Sequence, residues 1–481
     1  MTQCSKKTMH FKRLGSRAVV ADFAGGELSS DGGSLLLGQA DEGLGLTARF
    51  AGLFTDYRNA TWTEHSLLHL VRQRTYGLAL GYEDLNDHDE VSRDPLLAAV
   101  VGKRDPTGAE RVRERDRGRP LAGKATLNRL ELSGPAPEAA TDRYKKVALD
   151  FERAERFFAE EAFGREQARP AVVVLDLDPT DNPLYGNQEG RHYNGYYREY
   201  VYLPLYIFWG KDLVLAKLRP GRVDAIAGAV EALTWIVALV RARWPGMRII
   251  LRADRSFARE EVMSWSEGAG VDYVFGLAKN VVLERMSSAE LAEAKALAAA
   301  SGQAARVFKD LRYRTQRSWS RERRVVAKAE HTAEGSNPRF VVTSLPSEGE
   351  QGYGTRALYE DLYCERGEME NRIKEHQLYL FGDRVSAETL RANQIRIWFS
   401  SLGYTLMQGL RREALAGTVL ARARADTIRC KLLKIGAAVR VSVRRVWISI
   451  SSSYPLQDLF RTAWRRLENL ARRPAAIPLR C

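Results

Sequence analysis

Two acidic side chains stand where apolar runs end: Asp178 closes AVVVLDLD (171–178) and Asp254 closes MRIILRAD (247–254). A carboxylate at the end of a buried strand is costly unless it is paired, left ionised near solvent or bound to a metal. In open α/β sheets ligands gather at the carboxyl ends of strands, so both positions are where a site would be built. Each aspartate taken alone reads equally well as the cap of a following turn or helix. Asp176 lies two residues before Asp178 and shares its strand face, because strand side chains alternate. A third group comes from LYEDLYCERGEMENRIKEHQ (358–377), whose pattern predicts a helix. There Tyr363, Arg366, Glu370 and Lys374 recur at steps of three and four, which sets all four on one face. Without the aspartate strands this would read as a solvated helix, its Arg366–Glu370 and Glu370–Lys374 ion pairs each worth only about 0.2–0.5 kcal/mol.

The elements that must position these groups are legible around them. The β-branched run 171–178, bounded by Pro170 and Pro179, suits a strand covered on both faces. YVYLPLYIFW (200–209) and DLVLAKLRP (212–220) read as its antiparallel neighbours, turning at Gly210 and Lys211. A long helix is expected from Asp224 to Trp244, then the strand 247–254, a helix from near Ala258 and the strand DYVFGLAKN (272–280). The order β-β-β-α-β-α-β is that of a ribonuclease H-like core. An Ala- and Glu-rich helix (283–300) precedes three further strand candidates, RVFKDLRYRT, WSRERRVVAKAE and RFVVTSL, which break the α/β rhythm and predict a β-rich insertion over 303–346. Helical pattern resumes at Tyr359 and runs to Ala416 with a break near Gly382.

Before the core, Gly25, Gly26, Gly32 and Gly33 read as turns, 62–80 as an amphipathic helix, and 103–119 as an exposed charged loop. His65 and His69 stand four apart, but no third ligand accompanies them, so a shared metal is the minor reading.

The 74 Lys and Arg against 60 Asp and Glu give a net charge of +14, which favours a polyanionic partner. From Tyr404 to Cys481 there are 16 Lys or Arg and 4 acidic residues, so this stretch carries +12 of the total. Cys4, Cys364, Cys430 and Cys481 form no CxxC pair, which argues against a zinc ribbon or a disulfide framework and fits a reducing cytoplasm. No apolar run is long enough to span a bilayer and the first residues lack a signal-peptide core, so no membrane partner is expected.

Taken together, the residues resemble a family. ADFAGGELSSDGG, LALGYEDLNDHDEVSRDP and LAGKATLNRLE, then LDLDPTDNPLYGNQEG, YLPLYIF, LRPGR, RADRSF, YVFGLAKN, RFVVTSL and YCERGEMENRIKE are similar, in this order, to the transposases of bacterial insertion sequences of the family numbered thirteen-eighty. That family lies within the DDE group carrying a Y-R-E-K signature helix. The resemblance implies an α/β fold: a ribonuclease H-like mixed-sheet catalytic core (166–302 and 347–400) with a β-rich insertion (303–346). A mainly helical N-terminal domain (1–165) and a basic C-terminal region (401–481) flank it. It implies a catalytic and metal-binding triad of Asp178, Asp254 and Glu370, with Asp176 as the rival first carboxylate in the D-x-D-x-T block. Tyr363 and Arg366 fall on the Y and R positions. The usual lysine spacing, seven after the glutamate, lands on Gln377, whereas Lys374 comes at four, and both stay open as the phosphate contact. Arg255 and Ser256 replace the family's small residues after RAD.

The activity so implied is DNA strand cleavage and strand transfer with two Mg²⁺ ions per site, Mn²⁺ substituting, because hard cations prefer oxygen ligands and an ion pair can stabilise attacking and leaving oxygens together. DNA, as transposon ends and target, is the expected partner of at least a homodimer in a bacterial cytoplasm at the nucleoid. Arg444, Arg445, Arg465, Arg466, Arg472 and Arg473 are candidate phosphate contacts. Trp319 reads equally as a base-stacking aromatic or a packed core residue. The alternatives are a catalytically silent, transposase-derived DNA-binding repressor and a structure-selective nuclease without strand transfer.

Overall fold

A computed structural model describes residues 8–349 and 352–472; Cys4, Arg473 and Cys481 lie outside the described residues. Two compact units divide the chain, one comprising 8–130 with 409–472, the other 131–408.

The first unit is mainly helical. Leu67–Leu80 begins where the Ser66 side chain accepts the His69 amide, and Pro95–Val101 begins where Asp94 accepts the amides of Leu96 and Leu97. Ser34–Leu44 packs beside Gln457–Ala471, with Gly43 lying against Leu470 where a Cβ would collide. A small sheet joins Leu28–Ser29 to the hairpin of Ala437–Val441 and Val446–Ile450. Of the glycines expected in turns, Gly26 does adopt a positive φ of 76°. Gly32 and Gly33 serve a different end: their amides donate to Ile435 and Leu433 carbonyls at 2.8 and 3.0 Å, and a side chain on Gly33 would strike the Leu432 carbonyl. Both ring nitrogens of His65 face cations, Arg111 at 2.7 Å and Lys103 at 3.3 Å, which leaves none for a metal shared with His69.

The second unit is built on a nine-stranded mixed sheet. Its principal strands are β1 (Val173–Pro179), β2 (Leu205–Trp209), β3 (Asp212–Lys217), β4 (Ile249–Ala253), β5 (Asp272–Leu277), β6 (Ala305–Tyr313), β7 (Arg323–Thr332) and β8 (Arg339–Thr343). They lie in the order β3-β2-β1-β4-β5-β8-β7-β6, with Gly335–Ser336 also pairing β7. β1, β4 and β5 are parallel, and every other pairing is antiparallel. The three strands of 303–346 therefore extend the main sheet through the β5–β8 pairing, which covers the otherwise open edge of β5.

The expected strand 200–209 is split. Pro204, which has no amide hydrogen, ends Glu199–Tyr202, and that segment joins a separate small sheet with Asn182–Pro183 and His192–Asn194. The helix expected from Asp224 starts later, at Ala229, after Gly228 turns with a φ of 72° and Arg219 draws in the carbonyls of Ala225 and Ala227 at 2.8 Å each.

Alternation along the strands sorts the two faces. Leu175, Leu177, Leu251 and Ala253 point into a core closed by the helices Phe151–Arg165 and Ala229–Arg243. Ile250 and Val274 point the other way, against Leu358, Tyr359 and Leu362. These last residues belong to a helical run, 355–379, that is not uniformly α: π-type turns at Leu358–Tyr363 and Glu375–Tyr379 and a tight 3-10 turn at Cys364–Arg366 flank the α segment Gly367–Lys374. Such π-type turns shift which residues share a face and recur at functional sites. Among the described residues no helix is long and apolar enough to cross a membrane.

Candidate active site

The face of the sheet that meets the 355–379 helix also carries Asp176 and Asp178. In the parallel β1–β4 register Asp176 stands opposite Arg252, and the guanidinium grips the carboxylate in a fork, at 2.5 and 3.0 Å. Arg252 reaches on to the Leu362 carbonyl at 2.6 Å and Glu365 at 3.2 Å, while Arg372 stands 3.7 Å from the same aspartate. Burial pushes the Asp176 carboxyl above its ordinary pKa, and the hydrogen bonds and charge of Arg252 oppose the shift. A fully buried aspartate held this way ties β1 and β4 to the helix, and both its oxygens are committed.

Asp178 is held differently. It accepts no hydrogen bond among the described residues, and its nearest cation is Arg366 at 3.8 Å. Its pKa is pushed up to about 7 by burial, against the pull of Arg366 and with the added repulsion of Asp254, Glu370 and Asp176. Those charges act on one another across the ends of β1 and β4, so the fold gathers Asp178, Asp254 and Glu370 into one electrostatic neighbourhood.

Asp254 begins the turn Arg255–Phe257 and caps it, accepting the Ser256 amide at 2.9 Å and the Ser256 hydroxyl, both on Oδ1. Capping and site-building are thus compatible here, since Oδ2 makes no hydrogen bond among the described residues. Ser256 fixes the carboxylate's orientation, and Arg255 is exposed. Gly276 on β5 is a residue that sequence reasoning missed: a Cβ there would lie 2.5 Å from the Tyr363 hydroxyl and 3.1 Å from the Arg255 amide. Its absence lets the Tyr363 hydroxyl approach the Asp254 turn. The signal was present, a glycine interrupting the apolar run DYVFGLAKN, a sign of close approach by another group.

On the helix, Arg366 bridges the two sides of the site, 3.0 Å from Glu370 and 3.8 Å from Asp178. The Glu370 side chain is 49 % exposed and, among the described residues, is held only by this pair. Lys374 is exposed with no ion-pair partner among the described residues. Gln377, in contrast, donates to the Asp181 carbonyl at 2.9 Å and Asn182 Oδ1 at 2.6 Å, which commits its amide to the backbone beside β1.

Among the described residues no three acidic, histidine or cysteine side chains converge tightly enough to hold an ion as they stand. The donor chemistry nevertheless fits a hard divalent cation: an aspartate without hydrogen bonds, a second with a free oxygen, and a glutamate restrained by an i,i+4 pair of a kind worth about 0.3–0.5 kcal/mol. Among the described residues, Arg366 is the one cation in ion-pair reach of Asp178 and Glu370, and Asp254 has none.

The remaining residues singled out by sequence lie elsewhere. Trp319 is 6 % exposed, edge-on to Tyr313 at 5.5 Å with Arg323 over its ring, so its surroundings are those of the packed alternative. Arg444 and Arg445 are exposed at the tip of the Ala437–Val441/Val446–Ile450 hairpin, in the first unit, without carboxylate partners among the described residues. Arg465 is exposed, Arg472 pairs with Glu468 at 2.9 Å, and Arg466, also exposed, donates to the carbonyls of Ala414 and Ala416 at 2.9 and 2.7 Å.

No curated protein is similar enough to the chain to count as a match. Among solved structures, a piggyBac transposase synaptic complex with hairpin DNA aligns at 11 % identity and a TM-score of 0.34, covering 80 % of this chain and 86 % of that one, a likeness too distant to bear on fold or chemistry. The family described as transposase DDE domain group 1 matches residues 11–472, nearly the entire sequence. With two strand-end aspartates and a helical glutamate in one neighbourhood, and with that match across its length, the chain belongs to the DDE transposase domain family, group 1.

Proposed function

We propose that the chain is the transposase of a bacterial insertion sequence of the thirteen-eighty family, which binds the element's ends, cuts the DNA strands and joins them to a target. The observation that carries this is the surplus of negative charge where β1 and β4 end, with Glu370 brought to it from the 355–379 helix. The strand order β3-β2-β1-β4-β5, with the first three antiparallel and β1, β4 and β5 parallel, supports a ribonuclease H-like core. On this reading β6, β7 and β8 are the β-rich insertion, and the basic C-terminal region supplies DNA contacts through Arg444 and Arg445.

Divalent magnesium bound to Asp178, Asp254 and Glu370 would supply charge neutralisation at the attacking and leaving oxygens of the phosphodiester. The chain's own residues do the rest. Asp178, its pKa raised by burial and by the neighbouring carboxylates, would in its ionised form help hold the ion. Ser256 keeps Asp254 in one rotamer, with Oδ2 turned free. Arg366 exchanges its carboxylates for the phosphate, which a guanidinium matches in a fork. Tyr363 offers its hydroxyl beside Asp254, and Lys374 offers an unpaired cation one turn beyond Glu370. Asp176 positions β1 and does not act on the substrate. Coordinated cutting of two ends calls for at least a dimer on DNA. In a Mg²⁺-dependent cleavage assay on the element's ends, Asp254→Asn and Glu370→Gln should keep DNA binding and lose cleavage. Cleavage by either variant at the wild-type rate would remove that residue from the triad.

A further inference from the structure

Immediately after β1 the chain forms a small sheet of Asn182–Pro183, Glu199–Tyr202 and His192–Asn194. Its base is fastened beside the carboxylates. Buried Asn182 donates to the Gly382 carbonyl at 3.1 Å, Gln377 of the 355–379 helix holds Asp181 and Asn182, and Tyr202 donates to the Glu189 carbonyl at 2.6 Å. Gly221 packs so closely under the Val201 carbonyl that no Cβ fits. The flap is thus a built element with its position set by the same helix that carries Glu370.

Its rim is tyrosine, and the rings are out in solvent: Tyr185 is 92 % and Tyr196 76 % exposed, with Tyr193 and Tyr200 about half exposed. Tyr193 and Tyr200 are a cross-strand pair, edge to face at 5.6 Å, and the Arg191 guanidinium lies 4.3 Å over Tyr200. Tyr196 and Tyr197 meet at 5.0 Å in a turn whose amides donate to Asn194 Oδ1, and which holds Arg198 at a φ of 60°. Folding alone has no use for a cluster of exposed aromatics. The inner member of the cluster feels the charge of the site: the pKa of the Tyr197 hydroxyl is pushed up to about 12 by burial and by the charges of Asp181 and Asp178, with Tyr196 and Asp254 adding to it.

We propose that the flap over 182–202 is a stacking platform for unpaired nucleotides of the DNA strand that enters the carboxylate site, with Tyr185, Tyr193, Tyr196 and Tyr200 supplying the faces and Arg191 and Arg198 the cations. The inference rests on the transposase reading for its ligand. Every base has a π-face that an aromatic ring can cover, but a duplex hides those faces within its stack, so the platform selects unpaired nucleotides.

The test measures binding of the full chain to a short fluorescent oligothymidylate and to a blunt duplex of mixed sequence. Tyr196→Ala and Tyr185→Ala, both at exposed positions, should each weaken oligothymidylate binding about fivefold or more, and Tyr→Phe should stay within about twofold. Duplex affinity should not change. Unchanged oligothymidylate binding, equal loss in the Phe variants, or equal loss on the duplex would each overturn the platform. Cleavage assays on the same preparations separate the two readings. Asp178-dependent cleavage with silent tyrosine variants defeats the platform alone, whereas tyrosine-dependent oligothymidylate binding by a chain that never cuts DNA defeats the transposase reading and leaves the platform standing.

Discussion

Two regions of the large sheet, the β6–β7 edge and the ends of the central strands β1 and β4, treat charge in opposite ways. Toward the β6–β7 edge, carboxylates and cations are matched. Arg323, almost wholly buried, holds Glu260 at 2.8 Å and Glu267 at 2.8 Å, Arg324 holds Asp310 at 2.6 Å, and Glu330 is shared by Arg306 and Lys328. Glu260 is accordingly lowered to about 2, with the hydrogen bonds of Arg323, Ser264 and Ser320 outweighing burial. Where β1 and β4 end, Asp178 and Glu370 share Arg366, Asp254 has no ion-pair partner among the described residues, and Asp178 is raised to about 7, chiefly by burial. The first arrangement stabilises a fold unaided; the second holds a charge imbalance that a ligand can relieve. Perturbation of this kind, in a charge cluster short of counter-ions, is where function is to be sought.

The largest expected effect breaks the contrast at its functional end. Asp178→Asn, Asp254→Asn and Glu370→Gln should each lower Mg²⁺-dependent cleavage by roughly a thousandfold or more, the equivalent of several kcal/mol of lost charge stabilisation. Asp178→Asn should at the same time leave thermal stability equal to wild type or higher, because it removes repulsion and no hydrogen bond. A clear loss of stability in that variant would place Asp178 among the structural aspartates.

Asp176→Asn should show the reverse pattern. It takes from the buried Arg252 guanidinium its one buried carboxylate, a change that costs about 3–5 kcal/mol, readable by urea unfolding. At the balanced edge, Arg323→Met should cost about 2–3 kcal/mol for its lost charged hydrogen bonds and leave cleavage unchanged once the protein is folded. Sensitivity of cleavage to Arg323→Met would blur the separation of the two regions.

Acid titration sharpens the comparison through opposite slopes. Glu260 has a depressed folded pKa, so its contribution is complete above the ordinary glutamate value and fades as pH falls toward about 2. Asp178 has a raised folded pKa, so its contribution is complete below the ordinary aspartate value and is lost as pH rises through about 7. Unfolding measured in chelator between pH 4 and 7 should therefore show wild type losing stability relative to Asp178→Asn as pH rises. The smallest effect belongs to Lys374→Ala, which should weaken DNA binding about two- to threefold and reduce the salt slope by about one.

Much of this contrast was legible in the sequence, for local reasons. Asp178 and Asp254 were visible because apolar runs end on them, and the helix that carries Glu370 was visible from its periodicity. Asp176 and Asp178 look alike in one dimension; what separates them is Arg252, which stands opposite Asp176 only through the β1–β4 register. Lys374 and Gln377 likewise part company only when Gln377 is seen holding the backbone after β1. The flap stayed hidden because the run 200–209 reads as one strand, although Pro204 within it was the mark of the break. Gly33 looked like a turn residue, but its small size serves a close passage of the 432–435 backbone.

The most direct test of the central claim is anomalous diffraction at the manganese edge from crystals of the full chain with cleaved end DNA and Mn²⁺. The account predicts peaks shared by carboxylate oxygens of Asp178, Asp254 and Glu370, with Arg366 turned from Glu370 to a phosphate and Asp176 still in the grip of Arg252. Manganese bound at other side chains, with Glu370 still paired to Arg366, would contradict it.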